Sequence, residues 1–164
     1  MTTARTLGMC LSALGVFCFS AWTQGNTGCD VNHDGTVDVR DVQLITNMEI
    51  HAPGFPCTAN IGGVLGCTES ARQVVIKAAL GKGCSFNYIT WKPSTLKGVT
   101  GYNVYRSATT SGQPAERLNS ETAVAGTSFA DVTAGPNGQY HYFAKATDGA
   151  KEIGPAIEAT STAK

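Results

Sequence analysis

The sequence lacks the features that mark three large classes of protein. Its 12 Lys and Arg residues are balanced by 12 Asp and Glu residues, so no excess of positive charge is present to bind a nucleic acid. No G-x-S-x-G string marks a hydrolase nucleophile, and no glycine-rich phosphate loop precedes a helix. We therefore expect neither a nucleic-acid partner nor catalytic activity.

Long apolar runs are also scarce. The longest, residues 7–19, is shorter than the roughly 20 residues of a membrane-spanning helix, and it contains polar side chains. Because Arg5 precedes this run and small residues follow it, it predicts a secretory signal peptide over residues 1–21; an uncleaved anchor is the alternative. Residues 22–28 would be a linker. We expect a secreted protein, extracellular or at a bacterial cell surface, without a stable membrane span.

Cysteine is absent from residues 85–164. Once the signal peptide is removed, four cysteines remain: Cys29, Cys57, Cys67 and Cys84. An even number in an exported protein predicts two disulfides, for which three pairings are possible. Zinc binding is the alternative, but it normally requires closely spaced Cys and His pairs, and these spacings are wide.

The most informative stretch that is present covers residues 30–41. Oxygen-bearing side chains recur at alternating places of this twelve-residue loop, with Gly35 sixth, which is the spacing of an EF-hand-like calcium loop. Ca²⁺ prefers six to eight oxygen ligands, and a short loop provides them only when alternate residues face inward. The alternative is a solvated loop rich in Asp and Gly. The predicted ligands of one Ca²⁺ are Asp30, Asn32, Asp34, Thr36 through its carbonyl, Asp38 and Asp41.

A second copy of this loop and its following segment begins 30 residues later. Apolar spacing predicts a helix after each loop, over about 39–50 and 69–80, each with one apolar face that packs on the other helix. The second loop has Asn60 in the place of Asp30 and Ala71 in the place of Asp41. It carries no carboxylate at any ligand place, so we expect it to bind no Ca²⁺.

Two loop–helix repeats, the first beginning D-x-N-x-D-G, resemble the dockerin type I family. The resemblance covers about residues 29–84, and it implies the calcium ligands given above and docking onto a cohesin-like protein partner. A thrombospondin-type calcium repeat shares the string but would not continue into a helix. If the repeats pack antiparallel as the resemblance implies, Cys29–Cys84 would clasp the two ends. Cys57–Cys67 would then clip the second loop in place of an ion.

After Cys84 the pattern changes to short alternating runs separated by Gly, Pro, Asn and Ser, which predicts an all-β sandwich. The strings I-T-W, G-Y-N-V-Y-R-S and Q-Y-H-Y-F-A-K-A-T-D resemble a fibronectin type III domain. That resemblance implies a core around Trp91 and a corner tyrosine at Tyr140 whose hydroxyl bonds backbone. It leaves only residues 85–87 for a first strand, which would be short or would be formed by linker residues. The predicted strands are 87–91, 101–106, 116–118, 128–131, 140–146 and 156–160.

Together these patterns predict a multidomain protein: a small all-α, dockerin-like calcium-loop domain at 29–84 and an all-β, fibronectin type III-like sandwich at 85–164. We expect a secreted, non-catalytic calcium-binding module for protein–protein attachment. The alternative is an accessory module of extracellular polysaccharide degradation, in which Tyr88, Tyr105 and Phe143 contact carbohydrate. In a third interpretation calcium binding is the only function.

Overall fold

A computed structural model describes residues 28–108, 114–120, 122–135 and 138–164. The predicted signal peptide and most of the predicted linker lie outside the described residues. The described chain contains two helices followed by six strands. They are α1 (Val39–Glu49), α2 (Glu69–Ala79), β1 (Asn87–Trp91), β2 (Gly101–Ser107), β3 (Ala115–Arg117), β4 (Ser128–Asp131), β5 (His141–Thr147) and β6 (Glu152–Ala163).

Both helices lie where the repeat predicts them, to within one residue at their C-terminal ends. Each begins after a residue whose side chain accepts a hydrogen bond from a free backbone N–H of the first turn, Asp38 for α1 and Thr68 for α2. Their apolar faces meet in one core, in which Ile45 and Val74 are fully buried. The predicted packing of one helix on the other is therefore confirmed.

The predicted fold class is wrong, because the strands do not divide into the two sheets of a sandwich. They form one six-stranded antiparallel sheet in the order β3-β2-β5-β6-β1-β4, curled into a half-barrel. The long strand β6 causes this arrangement: Glu152 to Ala159 pair with β5, and Ala159 to Ala163 pair with β1. One strand therefore belongs to both halves of the sheet, and the gap between two separate sheets does not exist.

The expected first strand is also corrected. The strand that lies beside β1 is the end of β6, not residues 85–87. The pairing continues beyond both strands, because Phe86 and Lys164 exchange two backbone hydrogen bonds of 2.9 and 3.2 Å. The 85–87 segment is too short to cover β1, whereas β6 is twelve residues long and reaches the full length of β1.

The prediction of separate all-α and all-β domains fails for a second reason, the hydrophobic core. Along β1 and β4, alternate side chains point to opposite faces. Phe86, Tyr88 and Ala130 pack with the helices, whereas Ile89 and Phe129 pack inside the curled sheet. Because the helices and the sheet bury their apolar surfaces against each other, the described chain is one small, mostly β domain.

Two disulfides join the helical part of the chain, Cys29–Cys84 and Cys57–Cys67, the same pairs as in the hypothesis drawn from the repeat. They are consistent with a secreted protein, since disulfides persist in oxidising compartments. Neither helix in the described part of the chain has the length and apolar character that crossing a bilayer requires.

Candidate metal-binding loop and a groove beside the sheet

The backbone of residues 30–41 turns sharply at two places. His33 and Gly35 adopt positive φ angles of 61° and 90°, the left-handed conformation that glycine enters without strain and other residues rarely adopt. Gly35 stands at the sixth place, where a calcium loop requires glycine. Two such turns within three residues fold the loop back on itself and bring its first residue, Asp30, close to Asp34 and Gly35.

The first and last predicted ligands fasten the loop. Asp30 accepts hydrogen bonds from the backbone N–H of Asp34 at 3.1 Å and of Gly35 at 2.9 Å. Asp41 is fully buried in the first turn of α1 and accepts from the N–H groups of Val31, at 2.8 Å, and Asn32, at 3.0 Å. Its second oxygen accepts from the N–H of Asp38 at 2.9 Å. The start of the loop is therefore tied to the start of α1.

The other two carboxylates, those of Asp34 and Asp38, are turned toward Arg40, for which the sequence pattern predicts no role. A guanidinium nitrogen of Arg40 lies 2.9 Å from an oxygen of Asp34 and 2.7 Å from one of Asp38. The hydroxyl and N–H of Thr36 and the charge of Arg40 hold the pKa of Asp34 below its ordinary value. Hydrogen bonds from the Arg40 side chain and backbone lower the pKa of Asp38. Arg40 thus neutralises part of the charge repulsion between Asp34 and Asp38.

The six predicted ligands therefore lie in one compact loop, but they are not gathered around one point. Among the residues that the structure describes, no three His, Cys, Asp or Glu side chains form a ready group for a metal ion. All six supply oxygen, the donor that Ca²⁺ prefers. The donor set fits Ca²⁺ chemically on one condition: the carboxylates of Asp34 and Asp38 must give up their ion pairs with Arg40 and bind the ion instead.

The second loop is built differently. Ile61 and Leu65 face each other through two backbone hydrogen bonds and are both buried in the helical core. The Cys57–Cys67 disulfide closes this loop, and the N–H of Cys67 donates to the sulfur of Cys57. Apolar packing and a covalent bond thus hold the loop at the place where the first loop has carboxylates.

A groove of about 390 Å³ lies beside the sheet, between the first turn of α2, the edge of β4 and the segment that follows β3. Leu118, Val124 and Phe129 give it an apolar wall, and Glu69 and Gln73 give it a polar wall. Sequence patterns alone did not reveal this groove, because it depends on how far the sheet curls.

A buried ionic network spans the opening of the half-barrel. Asp131 on β4 is 2% exposed and lies 2.8 Å from the guanidinium of Arg106 on β2. The hydroxyl of Tyr142 on β5 donates to the same carboxylate at 3.0 Å and accepts from the side chain of Asn87 at 2.9 Å. Side chains of three strands thus meet at one carboxylate, and Asn87 joins β1 to the network through the Tyr142 hydroxyl. Arg106 and Tyr142 each supply a hydrogen bond that offsets the burial of Asp131.

The three aromatic residues suggested for carbohydrate do not form one exposed strip. Phe143 is only 6% exposed and stacks on Tyr105, with ring centroids 5.2 Å apart. Tyr88 packs against the helical core instead. The expected corner residue, Tyr140, accepts a hydrogen bond from the backbone N–H of Gly135 at 3.4 Å.

Comparison with known proteins identifies no relative, since no protein-family model, curated protein or solved structure matches the chain. The function of the protein must therefore be inferred from the loop, the groove and their chemistry.

Proposed function

We propose that this protein is a secreted, non-catalytic attachment module in which one Ca²⁺ orders the loop of residues 30–41 and thereby the helices that meet a protein partner. The observation that carries the proposal is the buried carboxylate of Asp41, which joins the start of the loop to the first turn of α1. A cation held by Asp41 and Asp30 would fix the loop and α1 relative to each other.

The ligands would be Asp30, Asn32, Asp34, Asp38 and Asp41 through their side chains and Thr36 through its carbonyl. The ion would supply positive charge to the centre of the loop and no chemical reactivity. Because it would bind the folded loop better than the unfolded chain, it would stabilise the fold by mass action, about 2.7 kcal/mol at a free concentration one hundred times the dissociation constant.

Exposed apolar side chains at the ends of the helices support a protein as the partner. Val39 at the start of α1 is 74% exposed, and Ile50 and Leu80, which follow α1 and α2 at equivalent places of the repeat, are 67% and 68% exposed. These exposed aliphatic side chains at repeat-related places are available for contact with a protein partner. The resemblance of the repeats suggests a cohesin-like partner.

Calorimetric titration with Ca²⁺ tests the proposed ion site. We expect one ion per chain, no measurable binding to the Asp30→Ala, Asp41→Ala double variant, and unchanged binding to Asn60→Ala. The last substitution is the matched control, because it alters the equivalent first place of the second loop. Two bound ions, or a double variant that still binds while folded, would contradict the proposal.

Arg40→Ala provides a second arm of the same titration. If Arg40 competes with the ion for Asp34 and Asp38, its removal should tighten calcium binding by about two- to fivefold, the size expected for an exposed ion pair.

Binding of the calcium-loaded chain to secreted proteins, compared with binding to insoluble polysaccharides, then separates protein attachment from the carbohydrate alternative. Retention on the polysaccharide alone would favour that alternative. The absence of any binding partner would leave calcium binding as the only function.

A further inference from the structure

The two edges of the sheet are protected unequally. Edge strand β3 carries the exposed charged residues Glu116 and Arg117, which discourage pairing with another strand. Edge strand β4 reads Ser-Phe-Ala-Asp, and its only charge, Asp131, is buried in the ion pair with Arg106. No exposed charge therefore protects the edge of β4.

The register shows which backbone groups of β4 are free to pair. The N–H of Trp91 donates to the carbonyl of Thr127, and β1 and β4 continue from there in regular antiparallel register. Hydrogen-bonded pairs alternate along such a ladder, so Phe129 and Asp131 direct their N–H and C=O groups toward β1. Ser128 and Ala130 direct theirs away from β1, and Ala130 lines the groove.

The walls of the groove select the side chains of an added strand. A residue directly opposite Ala130 would share its face of the sheet, the face toward the helices, where Glu69 and Gln73 lie. Glu69 is exposed, and its nearest cation, Arg72, is 3.9 Å away and also bonded to Glu49 at 2.6 Å. The two neighbouring residues of the added strand would face the apolar wall of Leu118, Val124 and Phe129.

We infer that this groove binds an extended peptide segment of a partner protein, which adds a strand to β4 and presents a basic residue between two apolar ones. Main-chain hydrogen bonds to Ser128 and Ala130 provide affinity, and the two walls provide the side-chain preference. The inference does not depend on calcium, since the loop of residues 30–41 contributes nothing to the groove.

The test uses the capped peptide Thr-Val-Lys-Val-Thr and amide chemical shifts of the purified chain. We expect the shifts to change around Ser128, Ala130 and Glu69. N-methylation of the peptide Lys removes the donor opposite Ala130 and should weaken binding by about three- to tenfold, the effect of one lost hydrogen bond. Replacement of this Lys by Glu should weaken it by about two- to fivefold through repulsion from Glu69.

A matched pair of variants isolates the backbone group. Ser128→Pro removes an N–H that points away from β1 and should weaken peptide binding by about three- to tenfold without loss of the fold. Ser128→Ala keeps this N–H and should bind as the parent does. Equal binding of the N-methylated peptide, shift changes confined to β3, or no binding at millimolar peptide would each overturn the inference. A stable dimer that Ser128→Pro dissociates would also overturn it, because the occupant would then be a second copy of the chain.

Discussion

Tyr142 and Asp131 together show how single side chains hold the curled sheet. The Tyr142 ring is in the core, and its hydroxyl lies between Asp131 and Asn87. Burial raises the pKa of Tyr142 above its ordinary value, and the nearby negative charge of Asp131 raises it further. The folded state therefore keeps this hydroxyl protonated at pH values at which an unfolded chain begins to lose the proton.

A pH dependence of stability follows from this raised pKa. The contribution of Tyr142 should be complete below about pH 10, the pKa of an unfolded tyrosine, and should be lost as the pH rises toward the folded value. Urea unfolding at pH 8 to 11 should therefore show the free energy of unfolding falling by up to about 1.4 kcal/mol per pH unit above 10. Tyr142→Phe should remove this part of the slope, whereas Tyr88→Phe, outside the network, should keep it. Identical slopes in the parent and Tyr142→Phe would contradict the assignment.

At this scale the sequence predicts local features well and distant ones poorly. The loop residues 30–41 interact over at most eleven positions, so spacing alone could place Asp30, Gly35 and Asp41 in one loop. The partner of Asp131 is 25 residues away on another strand, and no local pattern marks it. The ion pairs of Arg40 with Asp34 and Asp38 are not predictable from sequence for a different reason: a charged residue close to acids in the chain is usually solvated.

Among the elements, β6 differs most from its prediction. Gly154 and Pro155 interrupt the apolar alternation, so the predicted strand begins only at Ala156. In the structure Gly154 has a φ of 75°, and the register shifts there, with Lys145 of β5 opposite the three residues 154–156 of β6. Gly and Pro thus form a bulge inside the strand, which continues past it to Ala163. The other strands agree with prediction to within about one residue, because period-two alternation is a local property.

The pairing of β6 with β1 can be tested with two neighbouring proline substitutions. The reciprocal bonds between Phe86 and Lys164 set the alternation, so that Thr162 donates to Tyr88 while the N–H of Ser161 points away from β1. Thr162→Pro should destabilise the protein by roughly 1–3 kcal/mol more than Ser161→Pro, since it leaves a carbonyl without its donor. Chemical denaturation measures the free energy of unfolding of both variants. Equal costs, or a larger cost at Ser161, would contradict this register.

The molecule as a whole unites parts that composition and motifs predict to be separate. The switch from loop–helix repeats to alternating strands near Cys84 is visible in the sequence, and it suggested a domain boundary. Whether two segments bury their apolar faces against each other depends on tertiary packing, and here Phe86, Tyr88 and Ala130 place one face of the sheet against the helices. The change in secondary structure therefore does not mark a change of domain.

Cooperative unfolding should reveal this shared core. Circular dichroism at 222 nm follows mainly the helices. Fluorescence of Trp91, measured in a Trp22→Phe variant so that Trp91 is the one tryptophan left, follows the interior of the sheet. With both disulfides intact, we expect the two signals to give the same midpoint and the same denaturant slope, as for a single cooperative unit. Two separated transitions, with the helices melting before or after the sheet, would contradict the single-domain fold.

The position of β6 in the chain also determines when folding can finish. During synthesis β1 emerges more than sixty residues before its neighbour at Ala159 to Ala163, and until then it pairs with β4 at most. Until β6 has been synthesised, the side of β1 that faces away from β4 therefore has no strand to pair with. For the secreted protein that we propose, this delay is useful, since a chain that cannot complete its tertiary structure early can still pass through a translocation pore in an extended form.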